Sequence, residues 1–405
     1  MARIAMLVWN EFVNDARVLK EAQTLAAAGH QIIVHALHTP SKTLESEELE
    51  PGIRVERVVR SPFWSFRKGG AQASAAGAPT QPLASPPGTG HQLFRLSTRS
   101  ITHLRLWWRL VRSRADVIHA HDVNTLPTAW LAAKCLGVPL VYDAHEISTD
   151  REGYKAFRKA VGWIEKTIMP RVAASITTTD LRAKFFARAY HVPRPLVLQN
   201  RPRRLPPIES NRLREHLQLK EPWPVIIYQG GLQRGRGLDR LVEAAALLQG
   251  AYVVFVGGGN IAGQLQAMVR EHGLEQRVFF IPTVSLDELP YYTASANIGV
   301  QPIENTCLNH FTTDSNKLFE YVVAGLPVVA SALPEISRVV KDHDLGILTP
   351  PGDVEALAKA LQRLVDDPEL RARYSANARQ AAATLNWEAQ ESALVDLYKR
   401  ILPPA

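Results

Sequence analysis

The sequence predicts an α/β protein with two doubly wound domains, in which helices cover both faces of a mainly parallel sheet. Three observations support this prediction. Short, continuously apolar segments alternate with longer amphipathic segments, as expected for buried parallel strands and their covering helices. The alternation occurs twice, on either side of a proline-rich stretch at 200–207 that disfavours regular structure. A length of 405 residues is more than one hydrophobic core usually holds and suits two domains.

The first half of the chain opens with an apolar strand over 3–9 and a helix over 15–28 that ends at Gly29. The remaining apolar runs predict strands at 31–37, 116–120, 140–143 and 175–178. Periodic apolar positions predict helices over 126–136 and 155–172. We assign residues 1–200 to this first domain.

The second half repeats the alternation, and we assign residues 207–385 to a second domain. Its strands are predicted at 225–228, 252–256, 278–281, 298–301 and 328–330. Its helices are predicted at 238–247, 261–272, 286–294 and 316–324. The last segment, 386–405, is predicted to form a terminal helix over 386–402 that carries Trp387.

Two neighbouring segments interrupt the first domain. Residues 69–90 contain no charged and no aromatic side chain and are rich in Ala, Gly, Ser and Pro, so we predict a flexible insertion there. Residues 93–114 then carry six arginines, no acid and the pair Trp107 and Trp108. This composition suits a helix that lies on a membrane surface. It also suits an ordinary domain helix with one basic face.

The charge is distributed unevenly. Residues 1–200 hold 26 Lys and Arg against 16 Asp and Glu, whereas the rest of the chain holds 21 against 23. A basic first domain predicts an anionic partner, and nucleic acid, phospholipid headgroups and a lipid-pyrophosphate acceptor are all compatible with that charge.

The composition also bears on the compartment. Cys135 and Cys307 lack metal-ligand spacing and predict no disulfide framework, which suits a reducing environment. The N-terminal residues run directly into a strand without the features of a secretion signal, and no apolar run reaches the roughly 18 residues of a membrane span. We therefore expect a cytoplasmic protein, with a possible site of action at the inner face of the membrane.

The most informative segment is 314–321, Asp-Ser-Asn-Lys-Leu-Phe-Glu-Tyr. It predicts a polar loop and a short helix whose free N-terminal N–H groups suit an anion. Glu320, one turn inside that helix, is placed to accept hydrogen bonds from a ribose attached to the anion. The segment resembles the nucleotide-sugar site of retaining glycosyltransferases of family 4.

Four further segments, at 14–30, 115–122, 141–146 and 228–239, resemble motifs of the same family in the same order. The resemblance therefore spans nearly the whole chain. It implies the GT-B fold, in which two Rossmann-like domains face each other across a cleft and a C-terminal helix crosses back to the first domain.

On the donor side, charge develops on the leaving pyrophosphate, so preorganised positive groups are the main catalytic resource. Arg236 stands where the family usually has a lysine, and we expect it to hold the pyrophosphate through two N–H donors. The family's companion arginine would fall at Gly231, and Arg234 is the candidate substitute. The resemblance places the other nucleotide contacts at Gly230, Gly231, Gly257, Thr283, Ser315, Asn316, Lys317 and Glu320.

The chain departs from the family at Thr312, where a second acid usually precedes Glu320 by seven intervening residues. Asp314 or Asn309 in the same loop is the candidate for the lost contact with the donor sugar. This departure leaves the identity of the donor sugar open.

In the first domain, His145 follows a strand at the edge where open α/β sheets bind ligands. The resemblance places it against the donor sugar and the departing phosphate, as a catalytic residue alongside Arg236 and Glu320. His121 and Asp122, at the end of the neighbouring strand, are expected to line the acceptor side. Asp15 and Arg17 lie at the first turn, where Asp15 suits either the cleft or a helix N-cap.

These features predict a metal-independent retaining glycosyltransferase that needs no cofactor beyond its nucleoside-diphosphate sugar. The expected acceptor is a cell-envelope or exopolysaccharide glycan or a lipid-linked sugar, with contact to an anionic membrane and no nucleic-acid partner. An epimerase or phosphorylase on the same fold, and a non-catalytic partner subunit, are the alternatives. A nicotinamide enzyme is disfavoured, because Gly257-Gly258-Gly259 lacks the spacing of a dinucleotide fingerprint.

Overall fold

The computed structural model describes residues 1–60 and 89–402, and two sheets carry the fold of this part of the chain. The strands of the first sheet are β1 Arg3–Leu7, β2 Gln31–His38, β3 Ser46–Glu50, β4 Ile53–Val59, β5 Val117–His121, β6 Leu140–Ala144, β7 Ala174–Thr177 and β8 Leu196–Val197. They lie in the order β3-β4-β2-β1-β5-β6-β7-β8. Neighbouring strands are parallel except for β3, which runs antiparallel to β4 at the edge.

Helices cover both faces of this sheet: α1 Ala16–Ala27, α2 Thr89–Arg112, α3 Leu126–Leu136, α4 Arg158–Ile168 and α5 Asp180–Tyr190. Side chains alternate along β1, so that Ile4 and Met6 pack with α1 while Ala5 and Leu7 pack with α2 and α3. Both faces of the central strands are therefore buried, as their apolar sequence predicts.

The second sheet is entirely parallel, in the order β11-β10-β9-β12-β13-β14. Its strands are β9 Val225–Gln229, β10 Tyr252–Val256, β11 Val278–Ile281, β12 Ile298–Gln301, β13 Val328–Ser331 and β14 Gly346–Thr349. The helices of this half are α6 Arg212–Leu217, α7 Leu238–Leu247, α8 Ala262–Glu271, α9 Leu289–Ala294, α10 Leu308–Phe311, α11 Asn316–Val323, α12 Pro334–Asp342, α13 Val354–Asp366 and α14 Pro368–Ala381.

The terminal helix α15, Glu391–Ile401, packs on the first domain and not on the second. The indole N–H of Trp387, just before it, donates to Thr24 Oγ1 at 2.8 Å. The hydroxyl of Tyr398 lies 2.9 Å from Nδ1 of His119. The two doubly wound domains and the helix that crosses back confirm the predicted fold class.

The bounds of some elements differ from the prediction. The helix expected over 155–172 is α4, flanked by short 3₁₀ turns at Glu152–Phe157 and Met169–Arg171, and Pro170 prevents its continuation. The terminal helix begins at Glu391, after a turn in which the Asn386 side chain donates to the carbonyls of Ala382 and Ala383 and accepts from the N–H of Ala389.

The insertion predicted at 69–90 lies outside the described residues, except that residues 89 and 90 begin α2. In the described part of the chain, no helix has both the length and the apolar character needed to cross a membrane.

Candidate functional site

A cavity of about 630 Å³ lies between the two domains, where loops follow the carboxyl ends of the strands. The first domain contributes the loop after β1, the residues after β6 and β7, and Asn200. The second domain contributes Arg236, Leu286 and the beginning of α11. We call this space the cleft cavity.

The second-domain wall of the cleft cavity is positively charged. Arg236 and Lys317 both line it, together with Ser315 and Asn316 at the N-terminus of α11. No side chain caps this helix end, so its first N–H groups remain available to a ligand. Burial and the charge of Arg236 lower the pKa of Lys317 to about 8, against the influence of Glu320. Two cations that line one cavity beside a helix N-terminus favour the binding of an anion there.

Glycines allow Lys317 to take this position. Gly230 has φ +113°, and a Cβ atom there would lie 2.7 Å from Cε of Lys317. Gly257 packs closely against Gly230: a Cβ atom at position 257 would lie 2.2 Å from the carbonyl oxygen of Gly230. Gly230 and Gly257 therefore act by having no side chain: their backbones pack closely together, and Lys317 lies against Gly230.

Glu320 is held by the end of β9. Its Oε2 accepts a hydrogen bond of 2.6 Å from Gln229 Nε2, and Gln229 Oε1 accepts one of 2.7 Å from the Thr293 hydroxyl. Gln229 and Thr293 are buried, so the carboxylate has a fixed position at the cavity wall. A fixed acceptor of this kind suits the hydroxyl groups of a ligand.

On the first-domain wall, His145 follows β6 and is fixed by Asp143. Its Nε2 lies 3.0 Å from Asp143 Oδ2, and its Nδ1 lies 3.7 Å from Asp122 Oδ2. Burial opposes a charge on the imidazole, but the carboxylates of Asp143 and Asp122 outweigh it and raise the pKa of His145 to about 9. A pKa raised in this way favours the protonated imidazole at neutral pH, in which both ring nitrogens are hydrogen-bond donors.

Arg17 lines the cavity, but its guanidinium donates hydrogen bonds to other groups of the protein. Its guanidinium donates to both oxygens of Asp143, at 2.8 and 3.0 Å, and to the carbonyl of Leu198 at 2.7 Å. Arg17 also lies 3.2 Å from Glu21. Asp15 accepts a hydrogen bond from the N–H of Val18 and so caps the N-terminus of α1, which is one of the two roles predicted for it.

Behind Arg17 lies the one group of described residues with the ligand types of a metal site: Glu21, His119, His121 and Asp143. The Arg17 guanidinium already contacts both carboxylates of this group, so it supplies the compensating charge. Burial and the neighbouring Asp143 raise the pKa of Glu21, and burial lowers the pKa values of both histidines. We assign this cluster to the support of His145.

Arg182 of α5 joins the two domains beneath the cavity. Its Nη1 donates to the carbonyl of His145 at 2.6 Å, its Nη2 to the carbonyl of Asn309 at 3.1 Å and its Nε to the Thr312 hydroxyl at 3.2 Å. The amide of Asn309 makes two further bonds, of 2.8 and 3.0 Å, with the backbone of Ile147. The loop at 309–312 is thus fastened to the first domain.

Half of the predicted site residues line the cleft cavity: Asp15, Arg17, His145, Arg236, Asp314, Ser315, Asn316, Lys317 and Glu320. The other predicted residues do not line it: Gly230, Gly231, Arg234, Gly257, Thr283, His121, Asp122, Asn309 and Thr312. His121 and Asp122 lie behind His145, not on an acceptor surface, because the short turn after β5 folds them against Asp143. Arg234 and Thr283 are exposed on loops beside the cavity.

Asn309 was a candidate for the sugar contact that Thr312 cannot make, but its side-chain amide bonds with the backbone of Ile147. The Thr312 hydroxyl accepts a hydrogen bond from Arg182, so both residues contribute to the contact between the domains. Asp314 does line the cavity, and its carboxylate accepts a bond of 2.7 Å from Gln199. Burial raises the pKa of Asp314.

Sequence reasoning missed Gln229, Arg182 and the cavity-lining residues at 10–14. Gln229 ends an apolar strand, so the rule that selected His145 also pointed to Gln229. Arg182 carries no local signal, because its partners lie far away along the chain.

Two family models match the chain, that of the glycosyl transferase 4-like domain over residues 15–202 and that of glycosyl transferases group 1 over residues 209–381. A D-inositol 3-phosphate glycosyltransferase of Xylanimonas cellulosilytica is 27% identical, covering 94% of this chain and 90% of that protein. An alpha-D-kanosaminyltransferase of Streptomyces kanamyceticus is 26% identical, covering 72% of this chain and 79% of that protein.

Two solved structures share the fold. Sucrose-phosphate synthase from Thermosynechococcus elongatus aligns with a TM-score of 0.75 at 20% identity and covers 99% of both chains. HepE of Anabaena, solved in complex with UDP-glucose, aligns with a TM-score of 0.74 at 18% identity, over 99% of this chain and 100% of that chain. The two-domain architecture with its interdomain cleft is therefore the GT-B fold.

Proposed function

The chain belongs to the glycosyl transferases of group 1, and we propose that it transfers a sugar from a nucleoside diphosphate to a cell-envelope or exopolysaccharide acceptor. The anion site formed by Arg236, Lys317 and the N-terminus of α11 carries this proposal. A pyrophosphate fits that site, and Glu320 lies at the cavity wall where an attached ribose offers two hydroxyls. The complex of HepE with UDP-glucose supports a nucleotide-sugar donor.

The proposed reaction retains the configuration of the donor sugar by attack from the front side. The bond between the anomeric carbon and the diphosphate oxygen breaks, and the acceptor oxygen forms its bond on the same face. A phosphate oxygen of the leaving group takes the acceptor proton. His145 supports this route, because a protonated imidazole cannot serve as the base.

We propose that the reaction needs no metal ion. Arg236, Lys317 and the helix N–H groups stabilise the charge that develops on the leaving diphosphate, which is the task a metal otherwise performs. His145, on the opposite wall, adds a further positive charge on the side of the donor sugar.

A donor-binding experiment tests the proposal. Melting of the purified protein is measured with UDP-, GDP- and ADP-sugars, since a bound ligand raises the melting temperature by mass action. We expect one nucleotide class to stabilise the protein and to be consumed when an acceptor is present. Product formed without an acceptor would indicate an epimerase, and a dependence on inorganic phosphate would indicate a phosphorylase. No shift and no hydrolysis above background with any donor would contradict the proposal.

Glu320→Gln is expected to weaken the binding of the free nucleoside diphosphate and of the sugar donor by roughly 10- to 150-fold each. The loss of one charge-assisted hydrogen bond to a ribose costs about 1.5–3 kcal/mol in both complexes. Titration calorimetry measures the two affinities, and Glu271→Gln, an exposed acid of the same domain, is the matched control. Unchanged nucleotide affinity with slower turnover would place Glu320 at the sugar instead of the ribose.

The outer face of α2 leads us to propose that the first domain associates with anionic membranes. Leu104 is 63% exposed and Trp108 is 49% exposed, and the Arg112 guanidinium lies 4.6 Å from the centre of the Trp108 ring. Arg105 and Arg109 are also exposed on this helix. Each basic residue near an anionic surface contributes about 1 kcal/mol, within a Debye length of about 8–10 Å.

We therefore expect salt-dependent co-sedimentation with anionic vesicles, which the triple change of Arg105, Arg109 and Arg112 to Glu abolishes. The matched control changes three exposed basic residues of the second domain: Arg270, Lys359 and Arg363. Binding that is absent at low salt, or equal in the two triple variants, would leave α2 a structural helix and point to a soluble acceptor.

A further inference from the structure

A second cavity, of about 580 Å³, adjoins the cleft cavity. Phe12, Val13, Asp15 and Leu286 line both spaces, so the two cavities are direct neighbours. The first three belong to the loop after β1, and Leu286 belongs to the second domain. We call this second space the apolar trough.

Large apolar side chains are exposed around the trough. Val13 is 60% exposed, Leu44 62%, Leu49 41% and Leu286 44%. Single exposed leucines are common on protein surfaces, but four large apolar residues around one depression indicate a binding site. Phe12 and Leu19 complete its apolar lining.

A buried arginine keeps the trough in shape. Arg57 is 3% exposed, and its Nη1 donates to the carbonyl of Leu44 at 2.8 Å while its Nε donates to the carbonyl of Glu11 at 2.9 Å. Its Nη2 pairs with Glu47 at 2.6 Å. The guanidinium thereby ties the loop after β1 to the segment around β3, and these two segments form neighbouring walls of the trough.

We propose that the apolar trough is an acceptor subsite that binds the hydrocarbon chain of a lipid-linked acceptor. This inference rests on the proposed function and names the acceptor class of that same cleft. Half of the lining is apolar, and four of its six polar residues already have protein partners: Arg57 pairs with Glu47, Asp15 bonds with Asn10 and Val18, and Thr43 bonds with His38 and Thr39. A glycan against the leucine and valine side chains would lose hydration without compensation. A hydrocarbon chain loses no hydrogen bonds there and gains from every methylene group that it buries.

Charge supports a lipid occupant. Lys42 lines the trough and is exposed, which suits the phosphate of a lipid phosphate or pyrophosphate. The trough lies on the face of the first sheet that α1 covers, whereas α2 packs on the opposite face, so α2 forms no wall of the trough.

The test measures the binding of two soluble prenyl monophosphates to the full chain by titration calorimetry. Farnesyl phosphate and dimethylallyl phosphate share a headgroup and differ only in the length of the hydrocarbon. We expect farnesyl phosphate to bind at least tenfold more tightly to the wild type. The double variant Leu44→Ser with Leu49→Ser should lose this difference, and Leu286→Ser should reduce it from the opposite domain.

The matched control is Leu247→Ser, at a position that is 58% exposed on α7, away from the trough. It should keep the wild-type preference for farnesyl phosphate. Equal affinities of the wild type for the two probes, or unchanged farnesyl phosphate binding in both trough variants, would overturn the inference. Loss of maltotriose binding in the double variant, with farnesyl phosphate binding retained, would assign the trough to a glycan and overturn it as well.

The donor experiment keeps the two conclusions apart. If nucleotide sugars stabilise the protein but the chain length of the probe has no effect, the trough inference alone fails. If farnesyl phosphate binds as expected but no donor binds or is consumed, the proposed function fails and the trough remains a lipid site.

Discussion

Replacement of Arg236 by alanine is expected to slow sugar transfer by roughly 100-fold or more while the protein folds normally. The guanidinium lines the cleft cavity beside Lys317 and the N-terminus of α11, where the leaving diphosphate gains charge in the transition state. Loss of one preorganised donor at such a position costs about 2–4 kcal/mol of transition-state stabilisation. Steady-state kinetics with the donor found by thermal shift measures the effect.

Arg234→Ala is the matched control, because Arg234 lies on the same loop but is exposed and does not line the cavity. It should retain activity within about threefold of the wild type. Arg236→Ala should also raise the pKa of Lys317, since Arg236 is one of the causes that lower it to about 8. If Arg236→Ala keeps activity within threefold while Arg234→Ala loses it, the pyrophosphate contact belongs to Arg234.

The fold was largely predictable because its central strands are buried on both faces and therefore appear as apolar runs. The edge strand β3 escaped prediction, since Ser46–Glu50 reads Ser-Glu-Glu-Leu-Glu and pairs on one side only. Its neighbour β4 was missed with it. Those two strands form one wall of the apolar trough, so the trough could not be predicted from the sequence.

The candidate site also has a part that the sequence predicts and a part that it does not. Residues 315–320 are close in sequence, and their helix N-terminus is a local property that the sequence reveals. The role of Thr312 is not local, because its partner Arg182 lies on α5 in the other domain. The hydroxyl that replaces the family's usual acid accepts a hydrogen bond from that arginine, and this bond gives Thr312 a structural role in the contact between the domains.

The second large effect is expected at His145, which should be needed for transfer but not for nucleotide binding. His145→Ala should reduce turnover by about 100-fold and leave the affinity for the nucleoside diphosphate within about threefold. Its side chain lies in the first domain, across the cavity from Arg236 and Lys317, and acts through its positive charge. An equal loss of nucleotide affinity would show that the ring contacts the nucleotide or that the cleft has collapsed.

The charge of His145 gives this prediction a pH signature. The imidazole is protonated below its raised pKa of about 9, so wild-type turnover should fall as the pH rises through about 9. Asp143→Asn removes the nearest carboxylate, 3.0 Å from Nε2, and the pKa should return toward 6.5. Turnover of this variant should then fall at a pH lower by more than one unit. The carboxylate of Asp122 is farther away, 3.7 Å from Nδ1, so Asp122→Asn should lower the pKa of His145 by less.

A direct measurement distinguishes His145 from Lys317, which has a pKa of about 8 and loses its proton in the same pH range. The ¹⁵N NMR signals of the imidazole nitrogens are followed as the pH is changed, and the signal that is lost in His145→Gln is assigned to His145. The melting temperature of Asp143→Asn is measured at each pH to confirm that this variant is folded. We expect the signal to titrate near pH 9 in the wild type and well below that in Asp143→Asn. A signal that titrates near 6.5 in both proteins would show that Asp143 does not hold the charge, and the assignment of His145 as a cationic donor would then be wrong.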